Sequence, residues 1–290
     1  MTSAMDYEHA GPAVLRMLVG MQLRRLREEH RISCEEAGQS IRASRSKISR
    51  MEHGRVALKP RDVADLLSLY GVSDPAEIDA VLTLARRASA PGWWRAFTDV
   101  VPAWFEPYLG LEQGASVIRS YDIHCVPALL QTPDYARAVI RLAQERASLP
   151  QVEQFVRFRM RRQEILRRPG PARLWAVIDE DVLRRPVGSR AIMRAQLEHL
   201  QEAAALPNVT IQVLPGTAPA SAAVAGPITI LRFPEWHLPD VVYLEQLTCG
   251  SYPDRPADVE RCWDAMNRLV TQAHPPEVTT GILRQLLSGT

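Results

Sequence analysis

The stretch from Ser33 to Gly54 limits the possible folds of this chain more than any other. Ser33 is followed three residues later by Glu36, the reciprocal pair that caps a helix start, so a short helix from about Cys34 to Ile41 is expected. Arg42-Ala43 leaves room only for a tight turn. Ser44 then caps a third helix, and Gly54 stops it. Two short helices joined this closely can bury their apolar sides only against further elements, and the pattern supplies them. Leu15, Leu18, Val19, Gln22 and Leu26 trace one face of a first helix from about Val14 to Glu29. Pro60 opens a fourth helix with Val63, Leu66, Leu67 and Tyr70 at i, i+3, i+4 and i+7. Pro75 opens a fifth with Ile78, Val81, Leu82 and Ala85 spaced the same way.

Charge is concentrated in the same region. The 290 residues carry a net +2, yet between Val14 and Arg61 twelve Lys and Arg face five Asp and Glu, an excess of +7. The remainder is therefore net acidic, and the local positive field suits a polyanionic partner. A helix fits the major groove of duplex DNA, with its N-terminal side chains at base edges. Arg45 and Arg50 on the third helix are the best candidates to read guanine. Ser46 and Ser49 could reach bases or phosphates. Lys47, His53 and the capping Ser33 and Ser44 complete the candidate DNA-contact set, together with Cys34 at the start of the second helix. A helix N-terminus favours a thiolate, so modification of Cys34 could weaken binding; Glu35 and Glu36 oppose that charge.

Pro91-Gly92 breaks the helical pattern. The expected organisation is a loose tail over 1–13, an α-helical five-helix domain over 14–90, an aromatic-rich linker over 91–110, an α+β domain with a mixed sheet over 111–275, and a C-terminal segment over 276–290. The linker holds Trp93, Trp94, Phe97, Trp104, Phe105 and Tyr108, which suit inter-domain packing or a ligand cage. Helices are expected at 111–119, 133–145, 151–167, 189–205 and 256–273, and strands at 174–178, 209–214, 228–233 and 241–245. The strand-helix-strand run through 174–214 favours a right-handed parallel crossover.

Several features exclude function classes. No stretch of about 18 apolar residues exists to span a membrane and no signal-peptide core opens the chain, so a cytoplasmic location is expected. Cys34, Cys125, Cys249 and Cys262 are scattered, which fits a reducing compartment and argues against a zinc module. His124-Cys125 and His237 have no metal-ligand spacing. Asp179-Glu180-Asp181 lies where α/β active sites often sit, but a helix cap explains it without catalysis, and no catalytic residue, metal or cofactor is expected. The run Arg157, Arg159, Arg161, Arg162, Arg167 and Arg168 reads either as an anion site or as a solvated helix face beside Val152, Phe155, Val156, Phe158 and Met160.

Ser44-Arg45-Ser46-Lys47-Ile48-Ser49-Arg50-Met51-Glu52-His53-Gly54, with Leu26-Arg27-Glu28-Glu29 and Ile32-Ser33 before it, resembles the phage-repressor-type (Cro/C1, Xre) helix-turn-helix family over residues 14–71. The resemblance implies a dimeric DNA-binding domain on a palindromic double-stranded operator. It also implies a buried ion pair between the positions of Arg27 and Glu52. The family usually has Gln at the position of Cys34 and Gly at that of Arg42, so Arg42 must adopt a positive φ or the turn is rebuilt. Gly92-Trp93-Trp94, Tyr108-Leu109-Gly110-Leu111-Glu112, Val126-Pro127 with Leu129-Leu130-Gln131-Thr132, Arg162-Gln163 and Leu183-Arg184-Arg185-Pro186-Val187-Gly188 are similar to an uncharacterised domain. It accompanies this helix-turn-helix in many regulators of filamentous high-GC Gram-positive bacteria. The joint expectation is a homodimeric transcription regulator controlled by a small-molecule effector or a small partner protein. An antitoxin-like protein that sequesters a small partner and regulates its own operon is the alternative.

Overall fold

The computed structural model describes residues 11–219, 226–234, 238–246 and 248–288. Two units emerge, one mainly of residues up to Ala96 with Phe105–Gly114, the other mainly of Phe97–Trp104 and the chain after Ala115.

The first unit is all helix. α1 (Pro12–Glu29), α2 (Cys34–Ser40), α3 (Arg45–Glu52), α4 (Pro60–Leu69) and α5 (Pro75–Ala88) enclose a core that includes Leu23, Leu26, Ala37, Ile48, Met51, Leu66, Leu67, Tyr70 and Val81. The expected stripe on α1 is wider than one face. Ala13, Val14, Leu15, Met17, Leu18 and Val19 are all buried, because α5 and a further helix, α6 (Glu106–Gly114), both pack on α1. The sequence reading places 91–110 in a linker and starts a helix at 111. Here the helix begins five residues earlier and belongs with α1. Gly110 allows the approach, since a Cβ there would lie 3.2 Å from that of Ala13.

The first four helices end alike. Arg31, Arg42, Gly54 and Gly71 each take positive φ, at 55°, 53°, 66° and 75°. The next residue's N–H then bonds back to a carbonyl five positions earlier: Ile32 to Arg27, Ala43 to Gly38, Arg55 to Arg50 and Val72 to Leu67. This satisfies carbonyls that the helix end would leave open. Glycine does it without steric cost at two positions and arginine with cost at the other two. Arg42 therefore keeps the turn that the sequence left in question.

The second unit is a six-stranded mixed sheet in the order β3-β2-β1-β4-β5-β6. β1 (Val117–Asp122), β2 (Arg173–Asp179) and β3 (Val209–Leu214) are parallel. β4 (Ile228–Arg232), β5 (Val241–Glu245) and β6 (Gly250–Ser251) continue from β1 antiparallel. Parallel neighbours need long crossovers. α7 (Pro133–Ala143) and α8 (Leu149–Gln163) lie between β1 and β2, and α9 (Glu180–Arg184) and α10 (Arg190–Ala204) between β2 and β3. α11 (Pro256–Gln272) covers Tyr121, Val177, Ile230 and Val242 with Ala265, Met266 and Leu269.

One expectation fails where this unit begins. The helix expected at 111–119 ends at Gly114, and Val117–Asp122 is instead the strand that joins the parallel and antiparallel halves. The segment 276–290 contains a helix, α12 (Pro276–Ser288), which packs on α10 and β3. Leu283 is buried, and the Thr279 hydroxyl donates to Ile211 O at 2.8 Å.

Removing the strain at the turn between α2 and α3 should stabilise the first unit. Arg42→Gly is expected to gain about 1 kcal/mol in urea unfolding of the full chain. Gly54→Ala, whose added Cβ would meet Met17 N at 2.7 Å, is expected to lose stability in the same assay.

Candidate nucleic-acid interface

The candidate interface starts from two capped helix ends. Ser33 Oγ accepts from Glu36 N at 3.1 Å while Ser33 N donates to Glu36 Oε2 at 2.7 Å. Ser44 Oγ accepts from Lys47 N at 3.2 Å. Both serine hydroxyls thus serve the helix starts. Between the helices the Gly38 position is so tight that a Cβ there would sit 2.6 Å from Ala43 O.

α3 divides cleanly into two sides. Ile48, Met51 and Glu52 are buried, while Arg45, Ser46 and Arg50 are exposed. At about 100° per residue, Arg45, Ser46, Ser49, Arg50 and His53 fall within one arc of roughly 140°. Among the described residues, no hydrogen bond or ion pair engages the Arg45 guanidinium. Arg50 Nε donates only to Ser46 O on its own helix, at 3.3 Å. His53 is turned back: its Nδ1 lies 2.6 Å from Ser49 O.

Two members of the sequence-derived contact set lie elsewhere. Lys47 Nζ sits 2.7 Å from Asp62 Oδ2 on α4, so the ammonium is already paired. Cys34 packs against the core, with Sγ 4.0 Å from Glu52 Oε2. Burial first, and then the Glu52 charge, push the Cys34 thiol up rather than down. The expected thiolate stabilisation by the helix start is therefore outweighed. Periodicity alone could not reveal either placement, because Asp62 and Glu52 are distant in sequence. Arg42, exposed in the turn, and the exposed Lys59 and Arg61 at the start of α4 are cations near these elements that the residue-by-residue reading passed over. The local charge excess was the signal that contained them.

Behind α3 stands one ion pair. Arg27 Nε donates to Glu52 Oε1 at 2.5 Å and its Nη2 to Glu52 Oε2 at 3.0 Å, while Nη1 donates to Ile32 O at 2.9 Å. The side chains are 11% and 4% exposed, so little water screens the pair. The bonds to Glu52 hold the guanidinium's proton more firmly than in an ordinary arginine. α1 comes close enough to the end of α3 only because residue 20 is glycine, where a Cβ would meet Met51 O at 2.5 Å.

The other residues singled out by sequence have local roles in the second unit. Asp179 Oδ1 accepts from Asp181 N at 3.0 Å and so caps α9, while Glu180 holds Arg184 and the Gly216 amide. Arg159 is not on a solvated face; it reaches inward and donates to Gln131 Oε1 at 2.7 Å. The aromatic stretch is shared between the units: Trp93 meets Trp94 edge-on and Phe105 stacks on Tyr108 in the first, while Phe97 packs on Phe158 in the second. His237 lies outside the described residues. Among the described residues no helix is long and apolar enough to cross a membrane.

Residues 105–285, most of the chain, match the model of a domain of unknown function, DUF5753. The chain belongs to this family. Residues 18–81, which contain α2, α3 and the ion pair, match the model of a helix-turn-helix domain. No curated protein and no solved structure matches. This DUF5753 protein is a DNA-binding transcription regulator with its helix-turn-helix at the N-terminal end.

Loss of Arg27 would leave a buried carboxylate without its partner. Arg27→Ala is expected to destabilise the first unit by roughly 3–5 kcal/mol, read as a lower melting temperature in calorimetry of the full chain.

Proposed function

We propose that the protein is a sequence-specific, homodimeric regulator of the Xre type that reads a palindromic operator through α3. Its second unit would then act as a non-catalytic controlling module that answers to a small molecule or a small partner protein. The observation that carries the reading is the exposed arc of α3. Arg45 and Arg50 sit there beside two short serine side chains, in a region with an excess of seven positive charges. A guanidinium fork matches guanine O6 and N7, whereas phosphate contacts set position without reading sequence. Ser33, Ser44, Arg42 and Arg61 are suited to the phosphate role, and Lys47 is less so because of Asp62. A single helix-turn-helix reads too few bases for genomic specificity, which is the argument for two copies about one DNA turn apart.

Gel shifts on an operator selected from random duplexes test the reading. Arg45→Ala and Arg50→Ala should each weaken binding by about 1–3 kcal/mol and relax preference at one base pair per half-site. Unchanged affinity in both variants would overturn the assignment of α3 as reader. Light scattering of the full chain at micromolar concentration should give a dimeric mass, and a monomer both with and without DNA would rule out the proposed assembly.

A further inference from the structure

The second unit contains a cavity of about 320 Å³, at the small end of the range of roughly 300–1,000 Å³ occupied by small-molecule sites. Its apolar wall is made by Leu129, Leu130, Leu166, Ala203, Leu206 and Val209. These come from the 3₁₀ turn Ala128–Leu130, the 3₁₀ turn Glu164–Leu166, the end of α10 and the start of β3. The polar part of the lining is Gln163, Arg167, His199 and Glu202.

Side-chain amides hold this wall in place. Gln163 Nε2 donates to Ala128 O at 2.9 Å and to Gln131 O at 2.7 Å. Gln196, fully buried, donates through Nε2 to Leu130 O at 2.8 Å and accepts from Thr132 N at 2.8 Å. Gln131 in turn donates to Val126 O at 2.6 Å and accepts from Arg159. The 3₁₀ turn is thus pinned from α8 and α10, and the hollow beside it is built rather than left by loose packing. The apolar residues Leu129 and Leu130 and the polar Gln131 and Gln163 belong to sequence motifs that DNA binding does not use.

The polar lining is asymmetric. Arg167 is exposed at the edge, and among the described residues no carboxylate or carbonyl engages its guanidinium. Glu202 is 80% exposed on its side chain, so its charge stands in solvent, with His199 Nδ1 3.8 Å from it. Burial is the largest influence on His199 and holds its imidazole below the usual histidine range. The lining thus carries two fixed charges, Glu202, whose side chain stands 80% exposed in solvent, and Arg167, and Arg167 is the one that an anionic head group can meet.

We propose that this cavity binds a small amphipathic acid, with an aliphatic body against the leucine-lined wall and its carboxylate on Arg167. A bidentate guanidinium–carboxylate contact sets the orientation, and burial of the chain supplies the binding energy. The inference rests on the reading of the second unit as a controlling module, and it names the class of effector.

Titration calorimetry of the full chain with sodium octanoate and with 1-octanol tests the site in the absence of DNA. Octanoate should bind at least about tenfold more tightly than octanol. Arg167→Gln, an exposed substitution that leaves the core intact, should erase that preference. Ala203→Phe, which fills the hollow, should abolish binding of both probes. Absence of octanoate binding, equal affinities for the two probes, or octanoate binding unaltered by Ala203→Phe would each overturn the proposal. Gel shifts with and without octanoate then separate the two readings: binding to the cavity without a change in operator affinity sinks the controlling role and leaves the site standing.

Discussion

The geometry of α3 depends on one buried ion pair. Arg27 near the end of α1 reaches Glu52 at the end of α3 with two bonds and the Ile32 carbonyl with a third. A single guanidinium thus ties together the first helix, the strand-like link into α2 and the last turn of α3. Coulomb attraction in a poorly hydrated site is strong, and the planar fork of arginine gives it direction. Such a pair need not add net stability over a well-packed apolar alternative, because desolvating both charges is costly. What it does provide is register. Two bonds to Glu52 and one to the Ile32 carbonyl give the contact a direction that an apolar contact lacks.

The turns and glycines around this pair serve the same end. Gly20 lets α1 touch the end of α3, and Gly38 lets α2 close on the turn before it. Arg31 and Arg42 accept left-handed backbone where glycine would be easier. At Arg42 the side chain stands exposed in the turn before α3, so its conformational cost is met without any burial of the charge.

The second unit is organised by its sheet. Parallel pairing of β1, β2 and β3 requires helical crossovers, and those crossovers carry the 3₁₀ turn, α8 and α10 that enclose the cavity. The side chains that pin the 3₁₀ turn, Gln131, Gln163 and Gln196, are amides. A glutamine can donate and accept at once without the desolvation cost of a charge, which suits a wall that must be rigid beside an apolar hollow.

Local features were legible in the sequence because their partners are a few residues away. The capping pair Ser33–Glu36, the Ser44 cap, the Gly54 stop and the apolar spacing of α4 and α5 are matters of one helix turn, and the exposed arc of α3 follows from its periodicity. The Arg27–Glu52 pair was reachable only through family resemblance, since nothing local joins residues so far apart. The rest was decided by tertiary contacts. Val117–Asp122 carries too short a pattern to separate strand from helix, and it becomes a strand because β2 and β4 flank it on both sides. Lys47 is drawn to Asp62, and Cys34 inward toward Glu52, by groups that only folding brings near. α6 joins α1, and Pro276–Ser288 packs on β3, because each has an apolar face whose counterpart lies far along the chain. The sequence alone therefore determined where helices start and stop and which charges cluster. Only the tertiary structure decided which of those charges are already paired and which remain exposed on α3.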